Sequence, residues 1–140
     1  MNNVPYELID HTADVGVKAY GKNLAEAFQN IAKAMFDIIT DHSEIESVGQ
    51  YDITLKAPDL EQLLVDFLSE LLFIHDTHNL VFGFFKIDLD QKNNALTAHI
   101  FGEPYATSKH KIGTEIKAVT YHMLEIHKKR PFSVQVLFDI

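Results

Sequence analysis

The sequence contains no cysteine, which excludes a disulfide scaffold, a thiolate metal site and a cysteine nucleophile. It also lacks any apolar run that approaches the roughly 18 residues needed to span a membrane. The first residues, Met-Asn-Asn-Val-Pro, do not have the charged-then-apolar layout of a signal peptide. These absences lead us to expect a soluble, cytoplasmic protein that does not bind a membrane.

Several common catalytic motifs are also missing. The chain has no Gly-rich phosphate loop, no Gly-x-Ser-x-Gly elbow and no His-Glu-x-x-His pair. It contains no internal repeat, low-complexity tract or linker. The missing motifs weaken the case for an enzyme that acts alone.

Length and charge limit the remaining classes. A chain of 140 residues with 46% hydrophobic content predicts one globular domain over residues 1–140, large enough to bury its own core. The 12 Lys and Arg residues against 20 Asp and Glu residues give a net charge of −8. Such a chain repels nucleic acid as a whole, so direct RNA binding would need a local basic patch. A cation or a basic partner surface suits it better.

Residues 10–20 contain the densest group of chemically useful side chains. Val15, Val17 and Ala19 alternate with polar or small residues, as in a half-buried strand. Asp10, His11 and Asp14 then lie at the entry of that strand. The alternative is that the acids are turn residues that bond their own backbone and that the histidine is a polar surface group.

The last residues of the chain provide a second strand with an acidic end. Val134, Val136 and Phe138 alternate, and Asp139-Ile140 follows them. If the two strands are neighbours, Asp14, Asp139 and the Ile140 carboxylate form an oxygen-rich cluster. Such a cluster is useful only when a cation or a basic partner neutralises it.

The remaining pattern predicts an α+β fold. Asn23 and Glu26 form a capping box before a helix over residues 24–40, and a second helix covers residues 60–74. Residues 82–89 and 95–101 flank a turn-rich connection and predict a β-hairpin. Ile116, Val119, Met123 and Ile126 predict a third helix that begins after Thr114. The expected order ββαβαββαβ gives a single-domain mixed β-sheet layer with about three helices on one face.

Three further polar features can be explained either by a functional role or by an ordinary structural role. Lys117 would lie in the first turn of the third helix, where the dipole opposes a cation, which suggests a function unless the side chain merely extends to solvent. Asp41 follows the first helix and is either a third acid of the site or an ordinary loop residue. The run His75-Asp76-Thr77-His78 is more typical of a solvated helix end than of a metal site.

Four separated motifs resemble those of the archease family, in the same order and over nearly the whole chain. They are residues 6–16 (YELIDHTADVG), residues 23–28 (NLAEAF) with Thr40-Asp41, residues 113–122 (GTEIKAVTYH) and residues 138–140 (FDI). The resemblance implies an accessory protein without a reaction of its own. Its partner would be an RtcB-type RNA ligase, which joins a 3′-phosphate or 2′,3′-cyclic phosphate end to a 5′-hydroxyl end through a guanylylated histidine.

The resemblance also implies site residues. The metal site of the family falls on Asp14, Asp139 and the Ile140 terminus. Its activity-linked lysine falls on Lys117, with Lys109 and Lys111 as the alternatives. His11 and Asp41 match family motifs and are candidates to support the metal ligands.

The same resemblance sets expectations for ligand and role. An all-oxygen cluster suits calcium or manganese, with magnesium as a further option, and disfavours zinc and copper. We expect promotion of guanylylation and of multiple turnover in tRNA splicing or RNA repair, without stable direct binding of nucleic acid. The main alternative is a metal-dependent hydrolase built on Asp14, Asp41 and Asp139. A chaperone-like or RNA-binding module fits the negative charge less well.

Overall fold

The computed structural model describes residues 4–11 and 13–140, with only the backbone for residues 10 and 11. Within these residues, two helices and seven strands follow one another in the order ββαβαββββ. The elements are β1 (Tyr6–His11), β2 (Asp14–Gly21), α1 (Leu24–Thr40), β3 (Gly49–Lys56), α2 (Leu60–His78), β4 (Leu80–Asp90), β5 (Ala95–Pro104), β6 (Ala118–His127) and β7 (Phe132–Asp139). The α+β class is therefore confirmed.

The strands form two separate sheets. The larger sheet has the order β1-β2-β7-β6, and the smaller sheet has the order β3-β5-β4. Every pairing in both sheets is antiparallel. The predicted hairpin is present as β4 and β5, but the expected single mixed sheet is replaced by these two antiparallel sheets. The larger sheet joins β2, near the start of the chain, to β7 at its end.

The first helix begins with the predicted cap. Asn23 Oδ1 accepts from the Glu26 amide at 2.8 Å, and Glu26 Oε1 accepts from the Lys22 amide at 3.1 Å. The return bond thus reaches one residue further back than the simplest capping box. The apolar residues of α1 recur at helical spacing, and many are buried: Leu24, Ala27, Phe28, Ile31, Ala32, Met35, Phe36 and Ile39.

The second helix begins in the same way, because Asp59 Oδ1 accepts from the Gln62 amide at 2.7 Å. Its buried residues include Leu63, Leu64, Phe67, Leu68 and Leu71. The helix ends at Asn79, whose left-handed backbone and amide bond to the His75 carbonyl close the last turn. Among the described residues, neither helix combines the length and apolarity that crossing a bilayer requires.

The two helices lie between the two sheets. Helix α1 contacts β2 and β7 of the larger sheet and β4 of the smaller one, and α2 contacts β6 as well as all three strands of the smaller sheet. One hydrophobic cluster joins both helices to both sheets. Helices therefore cover one face of each sheet, as expected, although the same helical layer lies against both sheets.

The predicted third helix is also wrong. Residues 111–117 have no helical turn, and residues 118–127 form the edge strand β6. The ladder between β6 and β7 shifts between Thr120 and Glu125, so four residues of β6 lie opposite a single residue of β7. This bulge brings Val119 and Ile126, seven residues apart, onto the same face of the sheet, opposite Phe138 and Val134. The spacing of two helical turns arises here from an interrupted strand.

Candidate functional site

Asp14 and Asp139 lie directly opposite each other, where the larger sheet ends. Asp14 is the first residue of β2 and Asp139 the last of β7, and the register pairs them. On the other side of β7, the register pairs Asp139 with Ala118 of β6. The backbone of His11 in turn pairs with Asp14 across β1 and β2. Each of the four strands thus contributes one residue to a row across the sheet, which we call the acidic row: His11, Asp14, Asp139 and Ala118.

The register places the two carboxylates on the same face of the sheet. Directly opposed residues in an antiparallel pair have Cβ atoms about 4.5–5.5 Å apart, and opposed like charges destabilise the pair. Asp139 is exposed and Asp14 is half-buried, so solvent reaches the pair. The pair offers only oxygen donors, which fits a hard divalent cation such as calcium, manganese or magnesium.

The described side chains would provide two ligands of such a site rather than a complete set. Among the described side chains, those of residues 4–9 and 13–140, no three His, Asp or Glu groups come together in a way that would hold a metal ion. Further oxygens would come from water and from the Ile140 carboxylate that the resemblance implies. The side chain of His11 lies outside the described residues, so its supporting role stays a prediction.

Asp41 belongs to the end of α1. It is the C-cap, with a left-handed backbone at φ 50°, and its amide donates to the Asp37 carbonyl. Its side chain is exposed and forms no three-residue acidic group with Asp14 and Asp139 in the described part of the chain. The hydrolase alternative, which needs all three acids around one ion, therefore finds no support in the geometry.

The segment 105–117 follows β5, packs against the end of α1 and leads to the acidic row. The amides of Gly113 and Thr114 donate to the carbonyls of Ile39 and Ile38 at 2.9 Å each, which satisfies carbonyls that the last helical turn leaves free. A Cβ atom at position 113 would lie 2.1 Å from the Ile38 oxygen, so only glycine fits this contact. The close packing fixes the path of the segment toward Lys117.

Lys117 lies beside the acidic row. Its amide donates to the carbonyl of Asp139 at 2.7 Å, and its side chain is exposed. The argument from a helix dipole no longer applies to Lys117, because the residue precedes a strand. Its place next to Asp139 is a different reason to assign it to the site.

The two alternative lysines are placed differently. Lys109 Nζ lies 2.6 Å from Glu103 Oε1 and 3.3 Å from Glu46 Oε2, so it is already engaged within the protein. Lys111 is exposed, and its amide donates to Ser43 Oγ at 2.7 Å. Of the three lysines, only Lys117 has a hydrogen bond to a residue of the acidic row among the bonds the structure describes.

A buried carboxylate holds the start of the segment. Glu103 is 5% exposed and accepts from Lys109 Nζ at 2.6 Å and from the Glu46 amide at 2.8 Å. His110 Nδ1 accepts from the Ala106 amide, so Nε2 carries the proton and donates to Glu103 Oε2 at 2.9 Å. Burial alone would raise the pKa of Glu103, but bonds from Lys109, the Glu46 amide and His110 outweigh it and lower the pKa to about 2.

Glu103 and His110 were not predicted as functional residues from the sequence. The alternating pattern of β5 predicts the opposite, because Leu96, Ala98, Ile100 and Gly102 form its buried face and Glu103 is buried out of phase with them. Burial of a carboxylate requires partners, and the dense positive charge of residues 109–111 supplied one.

The histidines at the end of α2 have a structural explanation. His75 Nδ1 lies 2.9 Å from the Leu80 carbonyl, and its ring contacts the rings of Phe36 and Tyr105. These contacts pack the end of α2 onto the chain that follows it. They agree with the interpretation of the run 75–78 as a helix end.

The comparisons with known proteins agree with this architecture. Residues 6–140 match the model of the Archease protein family (MTH1598/TM1083). The chain is 45% identical over 139 residues to "Protein archease" of Methanosarcina barkeri, covering 96% of this chain and 95% of that protein. It is 42% identical over 125 residues to "Protein archease" of Pyrococcus furiosus, covering 88% of each.

A solved structure shows the same fold. The solution structure of Methanobacterium thermoautotrophicum protein 1598 aligns with a TM-score of 0.83 and 40% sequence identity. The alignment covers 97% of this chain and 99% of that one. With a family match from Tyr6 to Ile140 and relatives similar over nearly their whole length, this chain belongs to the archease family.

Proposed function

We propose that this protein is an accessory factor of an RtcB-type RNA ligase, which it activates by promoting guanylylation and multiple turnover. It would act in the cytoplasm, in tRNA splicing or RNA repair, without catalysing a reaction of its own. Membership of the archease family supports the partner. The single observation that carries the site is the register that opposes Asp14 to Asp139 and brings the Lys117 amide to Asp139.

The acidic row would contact the active site of the ligase. Asp14, Asp139 and the Ile140 carboxylate would hold a calcium, manganese or magnesium ion, which supplies positive charge for phosphate oxygens when it is bound. The carboxylates would also orient a lysine of the ligase. Lys117 is exposed beside the row, where its ammonium group would stabilise charge on the phosphates of the guanine nucleotide.

The overall charge fits a basic partner that must be released. A net charge of −8 complements a positively charged RNA-binding channel and speeds the encounter with it. Electrostatic contacts at the rim of an interface mainly raise the association rate, so the complex need not be long-lived. Transient binding is necessary, because a protein that occupies the channel has to leave before the RNA enters.

The test is guanylylation of purified ligase with GTP and manganese in a single-turnover format. Asp14→Asn keeps the size of the side chain and removes its charge, and we expect it to abolish most of the rate increase that the wild-type protein gives. Asp88→Asn is the matched control, because Asp88 is an exposed residue of β4 in the other sheet. Equal activation by Asp14→Asn and wild type would reject the site.

A further inference from the structure

A basic cleft lies toward the opposite end of the larger sheet from the acidic row. Its volume is about 620 Å³, and its cationic lining consists of Lys18 of β2 and Lys128, Lys129 and Arg130 of the β6–β7 connection, with His127 beside them. Tyr20 of β2 also lines it, six residues from Asp14 along the strand. At roughly 3.3 Å per strand residue, the two features are about 20 Å apart.

The cleft concentrates positive charge in an acidic protein. Four of the 12 Lys and Arg residues line it, whereas Glu61 is its one carboxylate. Among the described residues, none of the four cations forms an ion pair with a carboxylate. Lys33 and Lys109, by contrast, are both paired with acids of the protein. Lys128, Lys129 and Arg130 are therefore available to an anionic ligand, whereas Lys18 lies opposite Glu7 in the β1–β2 register and 5.7 Å from the centroid of the Tyr20 ring.

Two parts of the chain bring the positively charged side chains of the cleft together. The register places Lys18 opposite Gln135 and Tyr20 opposite Ser133, so these β2 residues lie beside the start of β7. The connection that contains Lys128, Lys129 and Arg130 leads into the same end of β7. Neighbouring like charges repel one another, and an anion with several charges would relieve all of these repulsions at once.

We propose that this cleft binds the phosphodiester backbone of a single-stranded RNA. A strand of phosphates matches a group of neighbouring cations. The lining also contains an aromatic ring, Tyr20, whose hydroxyl donates to Glu7 Oε1 at 3.2 Å and over which Lys18 Nζ lies, and aromatic rings are the groups on which bases stack. The surrounding negative charge confines such a strand to the cleft. The choice of RNA among nucleic acids rests on the proposed function, since RNA is the substrate of the ligase.

An anionic membrane fits these observations less well. A bilayer is flat and would not reach the floor of a concave cleft. Membrane-surface sites also present several large apolar side chains that enter the headgroup region. In this lining Ile126 is half-buried and packs against the core, and the exposed Pro131 is the other aliphatic residue.

The binding would be weak and sensitive to salt. Non-specific contacts of this kind give dissociation constants of about 10⁻⁴–10⁻⁶ M at physiological salt, which agrees with the absence of stable RNA binding expected from the net charge. Four phosphate contacts on a single strand predict a slope of about −2.8 for log K against log salt concentration. Because the cleft is about 20 Å from the acidic row, RNA held there would not occupy the surface that contacts the ligase.

Fluorescence anisotropy with a labelled 12-nucleotide single-stranded RNA, measured from about 50 to 200 mM KCl, tests the proposal. The double variant Lys129→Glu/Arg130→Glu removes two phosphate contacts, so we expect at least tenfold weaker binding and a slope about 1.4 smaller in magnitude. The control Lys86→Glu/Lys92→Glu changes the net charge equally at exposed positions of β4 and the β4–β5 turn, and should change the affinity less than threefold.

Equal losses in the two double variants would overturn the proposal, because net charge alone would then explain the binding. Absence of wild-type RNA binding at 50 mM KCl would overturn it as well. A parallel measurement uses vesicles that contain phosphatidylserine. Vesicle binding by the wild type that exceeds RNA binding and is lost in Lys129→Glu/Arg130→Glu would instead assign the cleft to a membrane.

Guanylylation of the ligase in the absence of RNA separates this inference from the proposed function. The Lys129→Glu/Arg130→Glu variant should activate the ligase at the wild-type rate in that assay. Normal activation by a wild-type protein that does not bind RNA overturns the inference alone. RNA binding at the cleft without any activation of the ligase overturns the proposed function alone.

Discussion

The amide of Lys117 donates to the carbonyl oxygen of Asp139 at 2.7 Å. This bond joins the end of segment 105–117 to the end of the last strand, so the proposed activating lysine and one proposed metal ligand share a single backbone contact. The contact involves main-chain atoms only. The side chain of Lys117 is therefore free to change by mutation without loss of the bond.

The three lysines near the site should respond differently to alanine substitution. Lys117→Ala removes an exposed side chain, so we expect a change in unfolding free energy within about 0.5 kcal/mol. Guanylylation of the ligase should nevertheless slow by one or more orders of magnitude, because the proposed contact with phosphate is lost. Lys111→Ala should affect neither quantity.

Lys109→Ala should instead destabilise the fold, since it takes a charged partner from the buried Glu103 carboxylate. Chemical denaturation and single-turnover guanylylation, measured on all three variants, check the assignment. A wild-type rate for Lys117→Ala together with a slow rate for Lys111→Ala would move the role to Lys111. A slow rate that only follows weaker ligase binding would make Lys117 an interface residue.

The pKa of Glu103 predicts a pH dependence of stability. Its pKa is lowered from 4.5 to about 2 in the folded protein, so its ionised form stabilises the fold above pH 4.5. That contribution is lost as the pH falls from 4.5 through 2, because the folded protein then takes up the proton as well. Glu103→Gln should lower the unfolding free energy at pH 7 and should differ less from wild type near pH 2.

Urea denaturation at several pH values measures this difference. Glu44→Gln is the control, because Glu44 is an exposed carboxylate of the neighbouring segment 41–48. A gap between wild type and Glu103→Gln that stays constant from pH 7 to pH 2 would show that the substitution acts through shape rather than through charge.

Residues added after Ile140 should weaken cation binding and ligase activation. An extension displaces the carboxylate group that would accompany Asp14 and Asp139, whereas the Ile140 side chain still packs against the core. We therefore expect little change in melting temperature without metal and a smaller rise on addition of calcium or manganese. Calorimetric titration and thermal unfolding measure the two effects, and an extended protein with undiminished ion binding would remove the terminal carboxylate from the site.

The parts of the fold that depend on neighbouring residues could be predicted from the sequence. The cap formed by Asn23 and the hairpin of β4 and β5 are examples, because their signals lie within a few residues. The proximity of Asp14 and Asp139 was predicted only on the condition that the first and last strand patterns were neighbours. The register satisfies that condition.

Features that depend on distant partners could not be predicted in this way. The bulge in β6 gives Val119 and Ile126 a helical spacing, and only the ladder with β7 shows that they belong to a strand. Glu103 has a partner 57 residues away, the Glu46 amide, so no local pattern indicates its burial. The separation of the strands into two sheets likewise follows from how both pack on the helices.

The bonds from Gly113 and Thr114 to the carbonyls of Ile39 and Ile38 limit how the segment that leads to Lys117 can move. Lifting the segment away would expose the unsatisfied end of α1, so the segment and the last helical turn form one cooperative unit. The backbone at Lys117 is thus held in place before any partner arrives. Recognition by the ligase would proceed on a preorganised surface, with adjustment confined to side-chain rotation and with little conformational entropy lost on docking.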